Sequence, residues 1–239
     1  MTSRSRSMFI TMMSLVLLSV PELQAQYYEP SVYEQAEARY ANVGFMQRDF
    51  QPLSSNPVAD SLAIGFNRIM PMIGLRQGPV DVVFGYTRFT LRGERREAIL
   101  FAARFTNDIP VAGTKPGALI IPLVIGTDYS KAQAVGPERE TFNIVSVGIG
   151  GGLKYRYYTR SVDFSIAATE IFHYAFEGFN TGSGFSAATV GEASVLFPGA
   201  LALDGIALGY RFRYQIWSMS EQRFNYRSLS HGPYLGIMF

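Results

Sequence analysis

The 239-residue chain contains no cysteine. That absence excludes disulfide frameworks, thiolate metal sites, cysteine nucleophiles and a lipid anchor on cysteine. Histidine is almost missing as well. His173 and His231 are the whole supply, too few for an all-histidine zinc centre, and no metal or other cofactor is expected. Charge is scarce, at 17% of residues against roughly 25% in an ordinary soluble domain. The net charge is only +2 and no block of like charge stands out, so nucleic acid is not an expected partner. Beyond the N-terminus there is no uninterrupted apolar run of the roughly 20 residues a spanning helix needs.

What is present begins with an export signal. Arg4 and Arg6 form a positive n-region, Met8 to Val20 an apolar h-region, and Pro21 ends it. Leu23-Gln24-Ala25 offers a small residue at the cut, so residues 1–25 are expected to be removed after Ala25. The alternative, an N-terminal anchor, has too short an apolar run. Cleavage takes Arg4, Arg6 and Glu22 with it and lowers the formal charge to +1. Residues 26–60 are polar and irregular: a periplasmic N-terminal segment with a short helix around Tyr33 to Tyr40, then a linker in "QPLSSNPVAD".

From residue 61 to 239 the texture changes to strand-like runs separated by turn signals. In "FNIVSVGIGGGLKYRYY", Val145, Val147, Ile149, Leu153, Tyr155 and Tyr157 share one face. Ser146, Gly148, Gly150, Gly152, Lys154 and Arg156 share the other. "GIALGYRFRYQIW" repeats this, with Ile206, Leu208, Tyr210, Phe212, Tyr214 and Ile216 opposite Gly209, Arg211, Arg213 and Gln215. A period of two places these sets on opposite faces of a sheet. Aromatic and aliphatic residues on one face, with glycine and arginine on the other, fit a barrel bathed in lipid better than a soluble sandwich.

Other segments read less cleanly. "PVDVVFGYTRFTL" slips from Val80, Val82, Phe84 and Tyr86 to Phe89 and Leu91, which predicts a bulge. "EAILFAARF" aligns Ile99, Phe101, Ala103 and Phe105. "ALIIPLVIGTD" is apolar on both faces and carries Pro122. "VDFSIAATEIFHYAF" puts Glu170 on the lipid face, so the reading requires either a bulge or another phase. Residues 79–239 supply eight strands, "LAIGFNRIMPMIGL" a ninth and "NVGFMQRDF" a possible tenth. "YYTRS", "FPGALALDG" and "NDIPVAGTKPG" fall on the periplasmic side. "TDYSKAQAVGPERET", "EGFNTGSG" and "SMSEQRFNYRSLS" fall on the outer side. The fold expected is all-β: a closed antiparallel up-and-down transmembrane barrel of 8 to 10 strands, with a short irregular or helical N-terminal segment.

With the signal, the alternating strands and a final "SHGPYLGIMF", the chain resembles the small bacterial outer-membrane β-barrel proteins of the OmpA-barrel, OmpX and OmpW types. The resemblance covers residues 61–239 and is architectural. It implies the outer membrane of a Gram-negative bacterium, lipid and lipopolysaccharide around the protein, a monomer, and contact with the barrel assembly machinery. Tyr234, Leu235, Ile237 and Phe239 look like the signal that this machinery reads.

Two groups of residues could carry chemistry. His173 and His231 are expected near the outer rim, with Ser228, Ser230 and Glu177 close by. An imidazole-activated hydroxyl there would suit a lipid A-modifying hydrolase or acyltransferase, although the histidine-x-serine-asparagine pattern of such deacylases is missing. The bland alternative is two unrelated histidines satisfied by water or loop carbonyls. The second group is the expected lumen charge: Lys154, Arg156, Arg211 and Arg213, with Arg104, against Asp81, Asp163 and Glu192. It would form either an anion-favouring conduit or ion pairs filling a narrow barrel. The glycines of residues 148–152 lack the pattern of a phosphate loop and are expected to let long side chains from other strands cross the interior. The reading of function is a structural, adhesive or small-molecule passage role with a largely filled lumen. An enzyme is the alternative.

Overall fold

In a computed structural model, residues 39–53, 64–114, 116–134, 141–177, 182–200, 204–220 and 225–239 are described. They form ten antiparallel strands: β1 (Arg39–Pro52), β2 (Phe66–Gln77), β3 (Val80–Leu91), β4 (Glu94–Thr114) and β5 (Gly117–Ala134) make the first half. β6 (Thr141–Tyr158), β7 (Asp163–Glu177), β8 (Ser183–Pro198), β9 (Gly205–Met219) and β10 (Tyr226–Met238) make the second. Each strand pairs with the next, and β10 returns to β1, closing the barrel. Closure removes the sheet edges that would otherwise expose unpaired backbone groups.

The register defines the stagger. Following paired residues round the wall leads from Pro52 through Tyr226, Trp217, Ser186, His173 and Gly148. It continues through Gly126, Arg104, Asp81 and Arg76 and arrives at Tyr40, twelve residues below its start. Strands of a barrel with such a stagger tilt by about 35–45°. The start of β1 and the end of β10 share one end of the barrel, called the near end here, where the Phe239 amide bonds to the Arg39 carbonyl at 3.2 Å. The β2–β3, β4–β5, β6–β7 and β8–β9 connections lie at that same end.

Several expectations change. Strand count resolves to ten, and β1 includes "NVGFMQRDF", so the boundary drawn at residue 60 cuts a barrel strand away from its barrel. Arg39 and Tyr40, placed in a helix by the sequence, are the first residues of that strand; the remainder of the helix and most of the linker lie outside the described residues. The bulge expected in β3 is not there, because β3 pairs with β4 without a break. Phe89 simply points inward, and the register shift lies instead in β4, between Pro110 and Ala112. Strands β4 and β5 also run through much of what looked like turn: β4 reaches Thr114 and β5 reaches Ala134. Residues such as Asn107 and Lys131 are poor strand formers alone, but ladder hydrogen bonds to a paired neighbour carry them.

The outer wall carries a broad apolar band, with Gln47, Asp49, Asn67, Arg88 and Thr90 outward toward the far end. Ile149 is 70% exposed and Phe172 66%, alongside Phe45, Ile73, Ile125 and Ile166. No helix among the described residues is long and apolar enough to cross a membrane, a criterion that does not bear on strands.

Candidate functional site

Alternation sends every second side chain of each strand into the lumen, and the lumen is filled in layers. Toward the near end lies an ionic cluster. Asp81 accepts from Arg104 at 2.5 Å and from Arg211 at 2.9 Å. Glu192 accepts from Arg76 at 2.7 Å and from the Tyr234 hydroxyl at 2.7 Å. Arg76 also lies 3.6 Å from Asp81, so two carboxylates share three guanidiniums. The Arg211–Asp81 and Arg76–Glu192 contacts join β9 to β3 and β2 to β8, and therefore cross the lumen as chords. Arg211 also lies over the Tyr234 ring at 4.6 Å. A Cβ on Gly209 would come within 2.2 Å of the Tyr234 ring, so only glycine lets that tyrosine lie across the wall. Nearer the end, Lys154 pairs with Asp108 and Arg156 with Asp163, each at 2.5 Å. A cavity of about 130 Å³ lies among Arg76, Asp81, Arg104, Asp108, Lys154 and Glu192.

The middle layer is polar and buried. Asp128 binds Arg213 and lies 2.9 Å from His173 Nε2. Arg48 spans from β1 to Ser130 on β5 at 2.6 Å and reaches Ser228 at 3.2 Å. Gln215 joins Arg213 to Ser186. The Arg213–Asp128 pairing matters because an unpaired charge in this position costs several kcal/mol; the hydrogen-bond partners of Arg48 among the described residues are hydroxyls.

Above it, toward the far end, the lumen turns apolar. Phe50, Phe66, Phe89, Phe142, Trp217 and Tyr226 pack with Met46, Met70, Met72, Ile64, Ile144 and Leu100 in one buried cluster. Phe50 stacks on Tyr226 at 4.6 Å, and Phe142 meets Trp217 edge-on at 5.4 Å.

The residues singled out from sequence distribute unevenly. Lys154, Arg156, Arg211, Arg213, Asp163 and Glu192 all face inward, each with an oppositely charged partner. The histidines do not meet. His173 is 2% exposed inside the lumen, whereas His231 lies on the outer wall with Nδ1 2.6 Å from the Tyr210 hydroxyl. Ser230 and His231 are consecutive on β10 and so point to opposite faces. Ser186 stands directly opposite His173, but its hydroxyl is engaged by Gln215. Among the described residues there is therefore no accessible serine paired with either histidine.

Gly148 makes room for the His173 ring and the β7 backbone, 2.7 and 2.3 Å from where a Cβ would stand. The side chain that uses this space is thus the His173 ring of the neighbouring strand, in place of the expected arginine or tyrosine from another strand. At the other candidate signal, Tyr234 faces inward, while Leu235, Ile237 and Phe239 face outward, 49%, 54% and 56% exposed. Sequence reasoning missed Arg48, Arg76, Asp108 and Asp128. Arg48 lies in a strand with weak alternation, Arg76 lies just past the end of "LAIGFNRIMPMIGL" in a stretch read as a connection, and the two aspartates lay in stretches read as turns.

Glu170 also faces outward. It follows the β7 phase without a bulge, at the centre of a strand flanked by Phe164, Ile166, Phe172 and Tyr174. Its one described hydrogen-bond donor is the Thr189 hydroxyl, at 2.7 Å.

No known protein family matches the chain, and no curated protein is similar to it. Solved structures similar to it include the outer membrane protease OmpT from Escherichia coli. That likeness has 7% identity and a TM-score of 0.40 over 84% of this chain and 97% of that one. The β domain of the Bordetella autotransporter BrkA shares 13% identity, with a TM-score of 0.31 over 84% and 100%. The monoaromatic hydrocarbon channel CymD shares 9%, with a TM-score of 0.26 over 84% and 89%. Likeness at this level assigns neither family nor activity.

Proposed function

We propose that the chain is an outer-membrane β-barrel protein of a Gram-negative bacterium, serving as a structural element whose lumen is closed to water and ions. An outward apolar wall of this extent on a closed barrel is costly in water and favourable in lipid. Lipid and lipopolysaccharide are the surroundings that wall fits, and Tyr234, Leu235, Ile237 and Phe239 act as the assembly address of a monomer. The observation that carries the closed-lumen reading is the filled cross-section: charged chords toward the near end and an aromatic cluster toward the far end. Planar-bilayer recording of the purified protein tests it. A silent membrane is expected; discrete, reproducible openings would overturn it. Replacing both histidines with alanine is expected to leave lipid A species unchanged by mass spectrometry.

A further inference from the structure

Proline inside a strand removes a ladder donor, and this barrel shows the consequence several times. At Pro122 the β5–β6 pairing skips from Ile120–Lys154 to Leu123–Gly151. At Pro233 the β1–β10 pairing skips from Gly44–Tyr234 to Gln47–His231. Both ladders then resume. At Pro71 the β2–β3 ladder does not: its last pair is Met72–Gly85. Residues Phe66 to Pro71 therefore pair only with β1, and Tyr86 to Leu91 only with β4. The β2–β3 seam is therefore without ladder pairing in its far half, a slit in the hydrogen bonding that side chains bridge. Thr87 Oγ1 donates to the Ile69 carbonyl at 3.1 Å, and the Phe66 and Phe89 rings meet at 4.5 Å.

Behind the slit lies the apolar cluster. From Phe89 and Phe66 the rings continue to Phe50 at 5.4 Å and on to Trp217 at 6.0 Å. Met46, Met70 and Met72 line this side, and unbranched thioether side chains repack around a guest with little penalty. In front of it, on the outer wall, Arg88 is exposed and donates to the Tyr86 hydroxyl at 2.5 Å, while that hydroxyl donates to Glu97, the cross-strand neighbour of Arg88, at 3.2 Å. The unpaired stretch starts in the apolar band, at Ile69 and Tyr86, and runs to a polar rim at Asn67, Arg88 and Thr90; where such backbone meets lipid, leaving it unpaired is costly.

We propose that this slit is a lateral entry through which a hydrocarbon chain with an anionic headgroup lodges in the apolar half of the lumen. Arg88 meets the headgroup, and Met46, Met70, Phe66 and Phe89 receive the chain. The proposal rests on the membrane reading above and adds a ligand to it.

Trp217 is the only tryptophan of the chain and lies inside the receiving cluster, so it reports on occupancy directly. The full protein in nanodiscs is titrated with dibrominated stearic acid and, separately, with dibrominated phosphatidylglycerol, since bromine quenches tryptophan at short range. Saturable quenching is expected with the fatty acid if the chain is free, and with the phospholipid also if bilayer lipid enters.

The chain has no native cysteine, so Asn67→Cys with Thr90→Cys can be crosslinked across the slit by a short thiol reagent or a disulfide. Crosslinking should abolish the quenching, and cleaving the link should restore it. The same link across the intact β3–β4 seam, Val82→Cys with Ala103→Cys, should change nothing. Pro71→Val, which returns the missing donor, should weaken the quenching without a crosslink, and Arg88→Gln should raise the concentration needed for half-saturation. Quenching that is absent, or unaltered by both the lock and Pro71→Val, overturns the proposal. Failure of the unmodified protein to enter nanodiscs would instead overturn the membrane reading.

Discussion

The two halves of the lumen meet one requirement by opposite chemistry. Both must fill the inside of a ten-stranded wall. Toward the near end the filling is charge: Asp81 and Glu192 draw Arg76, Arg104 and Arg211 across the interior. Toward the far end it is hydrocarbon: Phe50, Phe66, Phe142 and Trp217 pack as a soluble protein's core would. The difference predicts how each half fails. A charged chord fails by stranding its partners, because removing one carboxylate leaves buried guanidiniums uncompensated. An apolar layer fails by leaving a cavity whose size sets the loss.

The sharpest way to break the comparison is therefore at Asp81. Asp81→Ala strands Arg104, leaves Arg211 only Glu192 at 3.9 Å and weakens Arg76, and is expected to cost about 3–5 kcal/mol. Urea unfolding in detergent, followed by the shift between folded and unfolded bands on gels, measures it. A loss as small as that of a surface pair would mean the cluster is solvated, and the closed-lumen reading would fall with it.

The same contrast explains which parts of the fold could be read from sequence. Where the lumen is polar, outward apolar and inward polar residues alternate, and β6 and β9 declare both faces at once. Where the lumen is apolar, both faces of a strand are apolar and the period disappears. Phe89 and Leu91 therefore imitate a bulge, and Phe66, Met70 and Met72 blur β2. Strand β1 suffers doubly, with Met46 and Phe50 inside and Gln47, Asp49 and Gln51 outside. The ion pairs were legible as a set of inward charges, but not as partners. Pairing depends on chords between strands far apart in sequence, such as Arg213 to Asp128 and Arg48 to Ser130. Nor could the period say that His173 and His231 occupy opposite sides of the wall, because it requires a fixed phase for both β7 and β10.

In the far half, Phe50→Ala removes the ring that touches Phe66, Phe142, Trp217 and Tyr226. The expected loss is about 3 kcal/mol, at the lower end for a buried phenylalanine because the neighbouring methionines can collapse into the space. The variant should remain silent in planar bilayers, since the charged chords below still cross the lumen. Openings from Phe50→Ala alone would show that the aromatic layer is the only seal.

Glu170 tests the outside of the wall rather than the inside. In lipid, a carboxylate at the centre of an outward strand face is a liability that the Thr189 hydroxyl offsets only partly. Glu170→Leu is expected to raise stability by roughly 1 kcal/mol, less than the 2–4 kcal/mol scale for a basic residue at mid-bilayer. A destabilised Glu170→Leu protein would mean that this face meets a polar partner instead of hydrocarbon.

The smallest effect is expected at the near-end mouth. Lys154 and Asp108 are paired at 2.5 Å, but each side chain remains about a quarter exposed. Water screens such a pair, and the apolar stem of lysine retains its packing when the charge is removed. Lys154→Met should therefore cost no more than about 1 kcal/mol, measured by the same urea titration as Asp81→Ala. The two substitutions form a depth scale along one ionic half. If Lys154→Met cost as much as Asp81→Ala, the cavity beside Arg76 and Glu192 would be dry, and the charge layer would seal the lumen up to its mouth. If the two differ as expected, water enters the near end and stops at the Asp81 chords, which sets the closure at the level where Arg211 crosses.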